Sequence, residues 1–312
     1  MNKLPAIALG TWSWVPGEGD TIFGNNITSE SLQPVFAAGI KAGLELWDTA
    51  FVYGMGASES IVGDFISQYP REEITLSTKF TPQLAPNTEN PVLDMLEGSL
   101  LRLCTDYVDI YWIHNPTDAP KWTPALIPLL ESGKVKSVGV SNHNLEQIKE
   151  ADAILKEAGF HISAVQNHYS LLYRSSEEAG ILDYCKENDI TFFSYMVLEQ
   201  GALSGKYNTQ NPLPEGSLRG ETYNKILPQI EELTNAMKEI GGNRNVSVAQ
   251  VAIAWAIAKN TLPIIGVTKV SQVEDAVGAV SIKLSTSEIE KMENLAAMVN
   301  VNTRGFWEKP MV

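Results

Sequence analysis

Apolar, β-branched segments alternate with amphipathic ones along the whole chain, at a repeat of roughly 30–40 residues, the size of a strand–helix unit. This pattern confines the fold to parallel α/β architectures, because parallel strands need a long, usually helical crossover between them. The strand segments are residues 6–9, 44–47, 74–78, 107–113, 135–140, 164–166, 190–195 and 262–265. Helical segments follow at 29–42, 57–68, 91–103, 124–131, 144–158, 178–188, 248–258 and 271–280. Leu145, Ile148, Ala151 and Leu155 share one helix face. Ser285 with Glu288 forms a capping box for a last helix through about Val299.

Eight such units predict an α/β fold of the (β/α)8 TIM-barrel type. It carries an insertion after strand seven, over residues 198–245 with a helix at 223–240, and a C-terminal tail. An open doubly wound sheet competes, but it calls for a Gly-x-Gly-x-x-Gly turn after strand one, where only Gly10 stands. No linker-like composition divides the 312 residues, so one barrel domain over 1–312 is expected.

No run reaches the 18 or so apolar residues of a membrane span, and Pro5 interrupts the short apolar start, as no signal peptide would require. A cytoplasmic protein with no membrane partner is expected. The formal charge of −14 argues against nucleic acid and anionic lipid. It also means that a phosphate-bearing ligand must find local cations and backbone N–H groups. Cys104 and Cys185 read as reduced, packed thiols. The four histidines show no tight ligand spacing, which counts against a metal site and a metal-dependent lyase.

Barrels of this type carry their active sites at the C-terminal strand ends. Asp48, Lys79, His114, Ser141, Gln166 and Tyr195 all fall at or just past such ends, and Tyr53 follows Asp48 within LWDTAFVYG at 46–54. Singly, each has an ordinary reading: a cap, a half-buried ring, a solvated lysine, a structural histidine. Together on one rim they describe a proton-donating site. A phenol has a reference pKa of about 10, and a buried ammonium can lower it by roughly 1–3 units. Lys79 is expected to do this for Tyr53, with Asp48 compensating the lysine and His114 orienting a carbonyl oxygen.

These residues resemble those of the aldo-keto reductases over nearly the whole chain. The resemblance rests on Gly10-Thr11-Trp12, Asp48-Thr49-Ala50 with Tyr53-Gly54, Ser58-Glu59, Lys79, Ile113-His114, Gly139-Val140-Ser141-Asn142, Gln166 and GALSGKY at 201–207. It implies a (β/α)8 barrel that reduces aldehydes or ketones with NADPH, NADH being possible. Tyr53 would be the acid, aided by Lys79, Asp48 and His114. Thr11 and Trp12 fall in the matched N-terminal motif and are carried with the cofactor site. Ser141, Asn142 and Gln166 would hold the carboxamide, and Tyr195 would stack on the nicotinamide. Met196, Leu198 and Gln200 match the loop around the pyrophosphate. Ser204, Lys206 and Arg219 match the pyrophosphate positions of the branch resembling potassium-channel β-subunits. Gly266, Thr268, Lys269, Gln272 and Asp275 fall around the adenosine phosphate. Two departures stand out: the family often has Arg at Gln272, and Glu-Asn where this chain has Asp275-Ala276. Strand one begins close to Met1, so the N-terminal hairpin that often closes the barrel bottom in the family the chain resembles is expected to be missing or very short. The C-terminal segment or a partner chain is the expected cover for the barrel bottom.

Trp12, Trp14, Phe23, Phe51, Phe80 and Trp307 are the candidate pocket walls, an aromatic rim suited to apolar carbonyls. The chain is expected to act as a monomer or homo-oligomer on a small-molecule carbonyl. A cofactor-sensing binding module with slow turnover, as in the channel β-subunit branch, is the alternative reading.

Overall fold

The computed structural model describes residues 4–16, 22–24 and 26–311. Eight parallel strands close into a barrel in sequence order. They are β1 (Ala8–Gly10), β2 (Leu46–Asp48), β3 (Thr75–Phe80), β4 (Val108–Ile113), β5 (Val135–Ser141), β6 (Ala164–His168), β7 (Thr191–Tyr195) and β8 (Leu262–Gly266). Each starts within two residues of its expected position. β1 pairs with both β2 and β8, which closes the ring.

Strand alternation sorts side chains into the barrel interior and the helix layer. The lower interior is apolar and includes Ala8, Leu46, Ile110, Trp112, Ala164 and Phe193. Residues of the same parity, one or two steps further along, are polar: Asp48, Lys79, Ser141 and Gln166. The barrel is thus a filled core below and a polar cup above. Trp112 and Phe193 meet edge-to-face at 5.1 Å and plug the lower barrel from within, with Leu4 packed against this cluster. The expectation that the C-terminal segment covers the bottom is not met: that segment runs to the opposite, polar end, as its contacts below show.

Helix starts follow side-chain chemistry. Thr28, Asn144, Ser247 and Ser285 each cap a helix in a reciprocal capping box. Helix Val248–Ala258 is buried on nearly every face, consistent with its VAQVAIAWAIA sequence. Three expected helices are broken. Residues 124–131 form short pieces, each opened by a proline near its start. Gly180, left-handed at φ 74°, separates Ser175–Glu178 from Ile181–Glu187. Pro228 opens Leu227–Gly242 and divides it from Leu218–Tyr223.

Gly139 on β5 lets the Trp112 plug fit. A Cβ there would lie 2.4 Å from the Trp112 ring and 2.7 Å from the Ala164 carbonyl oxygen. Gly139→Ala is therefore expected to lower stability by about 1–3 kcal/mol or more through overpacking. Denaturant unfolding midpoints of the two proteins measure it, and equal midpoints would refute the account.

Candidate active site

The polar cup is built around one ammonium. Lys79 sits on β3, fully buried. Its Nζ donates to Asp48 Oδ2 at 2.6 Å, the Thr49 carbonyl at 2.8 Å and the Tyr53 hydroxyl oxygen at 3.2 Å, which uses all three of its protons. Asp48 Oδ1 accepts from Ser77 Oγ at 2.5 Å and from Gln166 Nε2 at 3.1 Å. The register explains the assembly: Asp48 lies beside Ser77 in the sheet, two residues before Lys79 on the same strand face. Ser77 carries a site contact that sequence reading missed; its spacing from Lys79 was the available signal.

Tyr53 reaches this cluster from a tight turn after β2, where Gly54 and Met55 are left-handed at φ 63° and 52°. The His114 ring faces Tyr53 edge-on at 6.2 Å, and its Nδ1 is 3.0 Å from Thr81 Oγ1. Burial and the nearby Lys79 hold His114 well below its ordinary pKa, so it is a neutral imidazole at neutral pH. Burial depresses the Lys79 ammonium, but Asp48 and Tyr53 outweigh this, and its pKa is raised. The expected lowering of the Tyr53 pKa does not occur. Burial raises it by more than Lys79 lowers it, and Asp48 adds to the rise. The resting group is therefore a protonated phenol next to a fixed cation.

The three expected carboxamide residues lie together. Ser141 and Gln166 are register neighbours, and Asn142, left-handed at φ 63°, follows directly. Asn142 Nδ2 donates to the His114 carbonyl, and its Oδ1 accepts from the Tyr195 hydroxyl at 2.5 Å. Met196, Glu199 and Gln200 are also left-handed, so strained backbone collects beyond β5 and β7. Leu198 anchors that turn, its carbonyl accepting from Gly201 and Leu203 N–H. Arg219 donates to the Gln200 carbonyl at 3.3 Å and lies over the Phe23 and Tyr207 rings. Arg219 Nε and Gln200 Oε1 are buried without a hydrogen-bond partner among the described residues, which leaves a cationic donor and a polar acceptor beside this loop. Ser204 Oγ turns back to the Gly201 carbonyl, and Lys206 lies exposed over Tyr207. At the end of β8, Gln272 Oε1 accepts from the Thr268 and Lys269 backbone N–H groups. Gly266 and Lys269 are exposed beside them, and Asp275 accepts from Ser247 at 3.3 Å.

Four expected residues fall elsewhere. Thr11 is fully buried, and its side chain engages the Asp48 carbonyl and Ser58 behind the rim. Trp14 is turned into the helix layer by a tight turn at residues 11–14, where it packs on Trp47 and Phe65. Phe80 has the opposite strand parity to Lys79 and so points outward onto Trp122. Phe51 lies against the Arg102 guanidinium in a separate shallow groove. Trp12, Phe23 and Trp307 do converge: Trp12 stacks on Tyr53 at 6.2 Å and meets Phe23 and Trp307 edge-on at 5.1 and 5.4 Å. Among the described residues no helix could cross a membrane, and no cluster has a metal-ligand set.

The aldo/keto reductase family model matches residues 6–297. The chain belongs to the aldo/keto reductase family. It is thus an NAD(P)H-dependent oxidoreductase built on the (β/α)8 barrel. It is 33% identical over 308 residues to the chloroplastic pyridoxal reductase of Arabidopsis thaliana, covering 93% of this chain and 82% of that one. It is 32% identical to an NADP(+) aldo-keto reductase of Schizosaccharomyces pombe, over 85% of this chain and 82% of the relative. Among solved structures, a thermostable aldo-keto reductase in complex with epalrestat superposes with TM-score 0.75 at 27% identity, covering 94% of this chain and 95% of the other. A Klebsiella pneumoniae aldo-keto reductase in complex with NADPH gives TM-score 0.71 at 26% identity, over 94% and 91% of the two chains.

A second buried cluster was not anticipated. His168, at the end of β6, lies between two carboxylates: Nε2 is 3.0 Å from Glu199 Oε1, and Nδ1 is 3.1 Å from Glu308. Glu199 also engages Ser170, Thr303 and Tyr223. His168 is two residues beyond Gln166, on the same strand face, which was the one sequence signal for it. Burial opposes its charge, but Glu199 and Glu308 prevail and raise its pKa from 6.5 to about 9. Because the folded value exceeds the unfolded one, this contribution is full below pH 6.5 and is lost as pH rises through about 9. It is on the order of a few kcal/mol. Wild-type unfolding free energy should fall between these pH values, and His168→Gln should lack that fall. Parallel curves for the two proteins would contradict the assignment.

Proposed function

We propose that this enzyme reduces aldehyde or ketone carbonyls with NADPH, with Tyr53 as the general acid. The observation that carries the reading is the Lys79 ammonium, 3.2 Å from the Tyr53 hydroxyl oxygen and held there by Asp48 and the Thr49 carbonyl. The nicotinamide, when bound, supplies hydride to the carbonyl carbon. The chain supplies the proton. As charge builds on the carbonyl oxygen, Tyr53 gives up its proton and becomes a phenolate beside Lys79. That interaction strengthens as the phenolate forms, so it favours the transition state over the resting site. The raised phenol pKa fits this order of events, because the acid stays loaded at neutral pH. Neutral His114 donates a hydrogen bond to the substrate oxygen and orients it.

Ser141, Asn142 and Gln166 would hold the carboxamide, and Tyr195 would stack on the ring. Arg219, Lys206 and Ser204 would face the pyrophosphate. Arg219 Nε, buried without a partner among the described residues, supports the fit of a phosphate-bearing cofactor in a chain of net charge −14. NADPH is preferred because two similar proteins were crystallised with NADP or NADPH, and Lys269 lies exposed at a helix start where a 2′-phosphate could pair with it. Trp12, Phe23 and Trp307 favour an apolar or aromatic carbonyl. The similarity to a pyridoxal reductase makes pyridoxal a rational member of a test panel.

Tyr53→Phe is expected to lower kcat with 4-nitrobenzaldehyde by about 10²–10⁴ while NADPH affinity stays near wild type. Lys79→Met should fall in the same range. Steady-state NADPH oxidation and cofactor fluorescence titration read the two quantities. Wild-type turnover in Tyr53→Phe would remove tyrosine from the mechanism. A parent enzyme that binds NADPH but stops after one turnover would instead favour a cofactor-sensing module.

A further inference from the structure

Among the described residues the tail beyond Asn300 contains no helix or strand, yet it delivers an aromatic wall to the site. Its Trp307 ring lies edge-on to Trp12, which in turn stacks on Tyr53. A chain without regular structure must be held at points. The tail is held by Thr303 on Glu199, by Glu308 on His168, and by Met311, which is buried and 3.6 Å from Asn167 Nδ2. Glu308 is the anchor next in sequence to Trp307. Its side chain is fully buried, and both carboxylate oxygens lie 3.1 Å from His168 Nδ1, with the Tyr195 hydroxyl 3.0 Å from one of them.

We propose that Glu308 is a positioning residue for the carbonyl pocket: pinned to His168, it seats Trp307 against Trp12 and so sets affinity for aromatic carbonyls. This rests on the reading of the Tyr53 cup as a carbonyl site. A buried carboxylate is costly unless paired. The pair therefore gives residue 308 one strongly preferred place, and the adjacent residue inherits it. Gly305 shapes the same wall from the other side. The Glu308 N–H donates to the Gly305 carbonyl at 3.1 Å, folding the Trp307 ring over Gly305. A Cβ on Gly305 would fall 2.5 Å from that ring. His168 also holds Glu199, from the loop proposed to wrap the pyrophosphate, so one imidazole ties the cofactor loop to the substrate wall.

The test compares KM for two carbonyls, 4-nitrobenzaldehyde and propanal, the second too small to need the indole. Glu308→Ala should raise KM for 4-nitrobenzaldehyde about tenfold, the scale of a lost pocket contact, with kcat and the KM for propanal near wild type. Glu308→Gln, which keeps an acceptor for His168, should recover most of the loss. Gly305→Ala, which leaves the carboxylate in place and displaces the ring, should show the same selective rise. It also decides the matter if Glu308→Ala fails to fold. Equal KM changes for both aldehydes, or none for either in Gly305→Ala and Glu308→Ala, would overturn the positioning role. A parent enzyme that reduces neither aldehyde would remove the carbonyl-site reading itself.

Discussion

A lysine ammonium inside a barrel is tolerable only if every proton finds an acceptor, and Lys79 meets that condition with three partners. Each partner comes from the same short stretch, Asp48 to Tyr53, and each is needed. Asp48 neutralises the charge, the Thr49 carbonyl fixes the direction of the amine, and Tyr53 takes what remains. The Asp48 carboxylate is itself held by Ser77 and Gln166, from β3 and β6. Neighbouring and distant strands therefore meet at one ion pair, and closure of the barrel is the structural condition for that meeting.

The electrostatics show how such a site can be both stable and reactive. Asp48 and Tyr53 favour the charged lysine, while burial keeps the phenol protonated. In the proposed reaction the cation is thus fixed in advance, and its attraction for Tyr53 would be realised when negative charge develops there. Preorganisation of this kind avoids reorganisation at the moment of reaction. The second cluster repeats the principle with other groups: His168 is charged because two carboxylates enclose it, and they hold the turn after β7 and the C-terminal tail. In both places a buried cation organises loops that secondary structure does not.

Much of this was legible from spacing. The strand–helix alternation sets the barrel, and strand parity identifies Asp48, Lys79, Ser141 and Gln166 as inward-facing at the strand ends. The same parity separates Lys79 from Phe80, yet Phe80 was expected in the pocket because aromatic character was weighed above alternation. Trp14 could not be placed by parity, since the turn at residues 11–14 intervenes. The sign of the Tyr53 shift was also beyond sequence, because it depends on whether desolvation or the nearby charge is larger, and that requires coordinates.

The sequence by itself determined the fold class, the family and the four groups gathered at the strand ends, because these follow from local periodicity and from motifs short enough to read. Tertiary structure alone decided which aromatics reach the site, and brought Glu308 to His168 across 140 residues. It also sent the tail to the polar end of the barrel rather than the bottom. The reason is physical: a residue pattern encodes which side of a strand or helix a group occupies. The path of an irregular tail depends on partners that come near only once the barrel has closed.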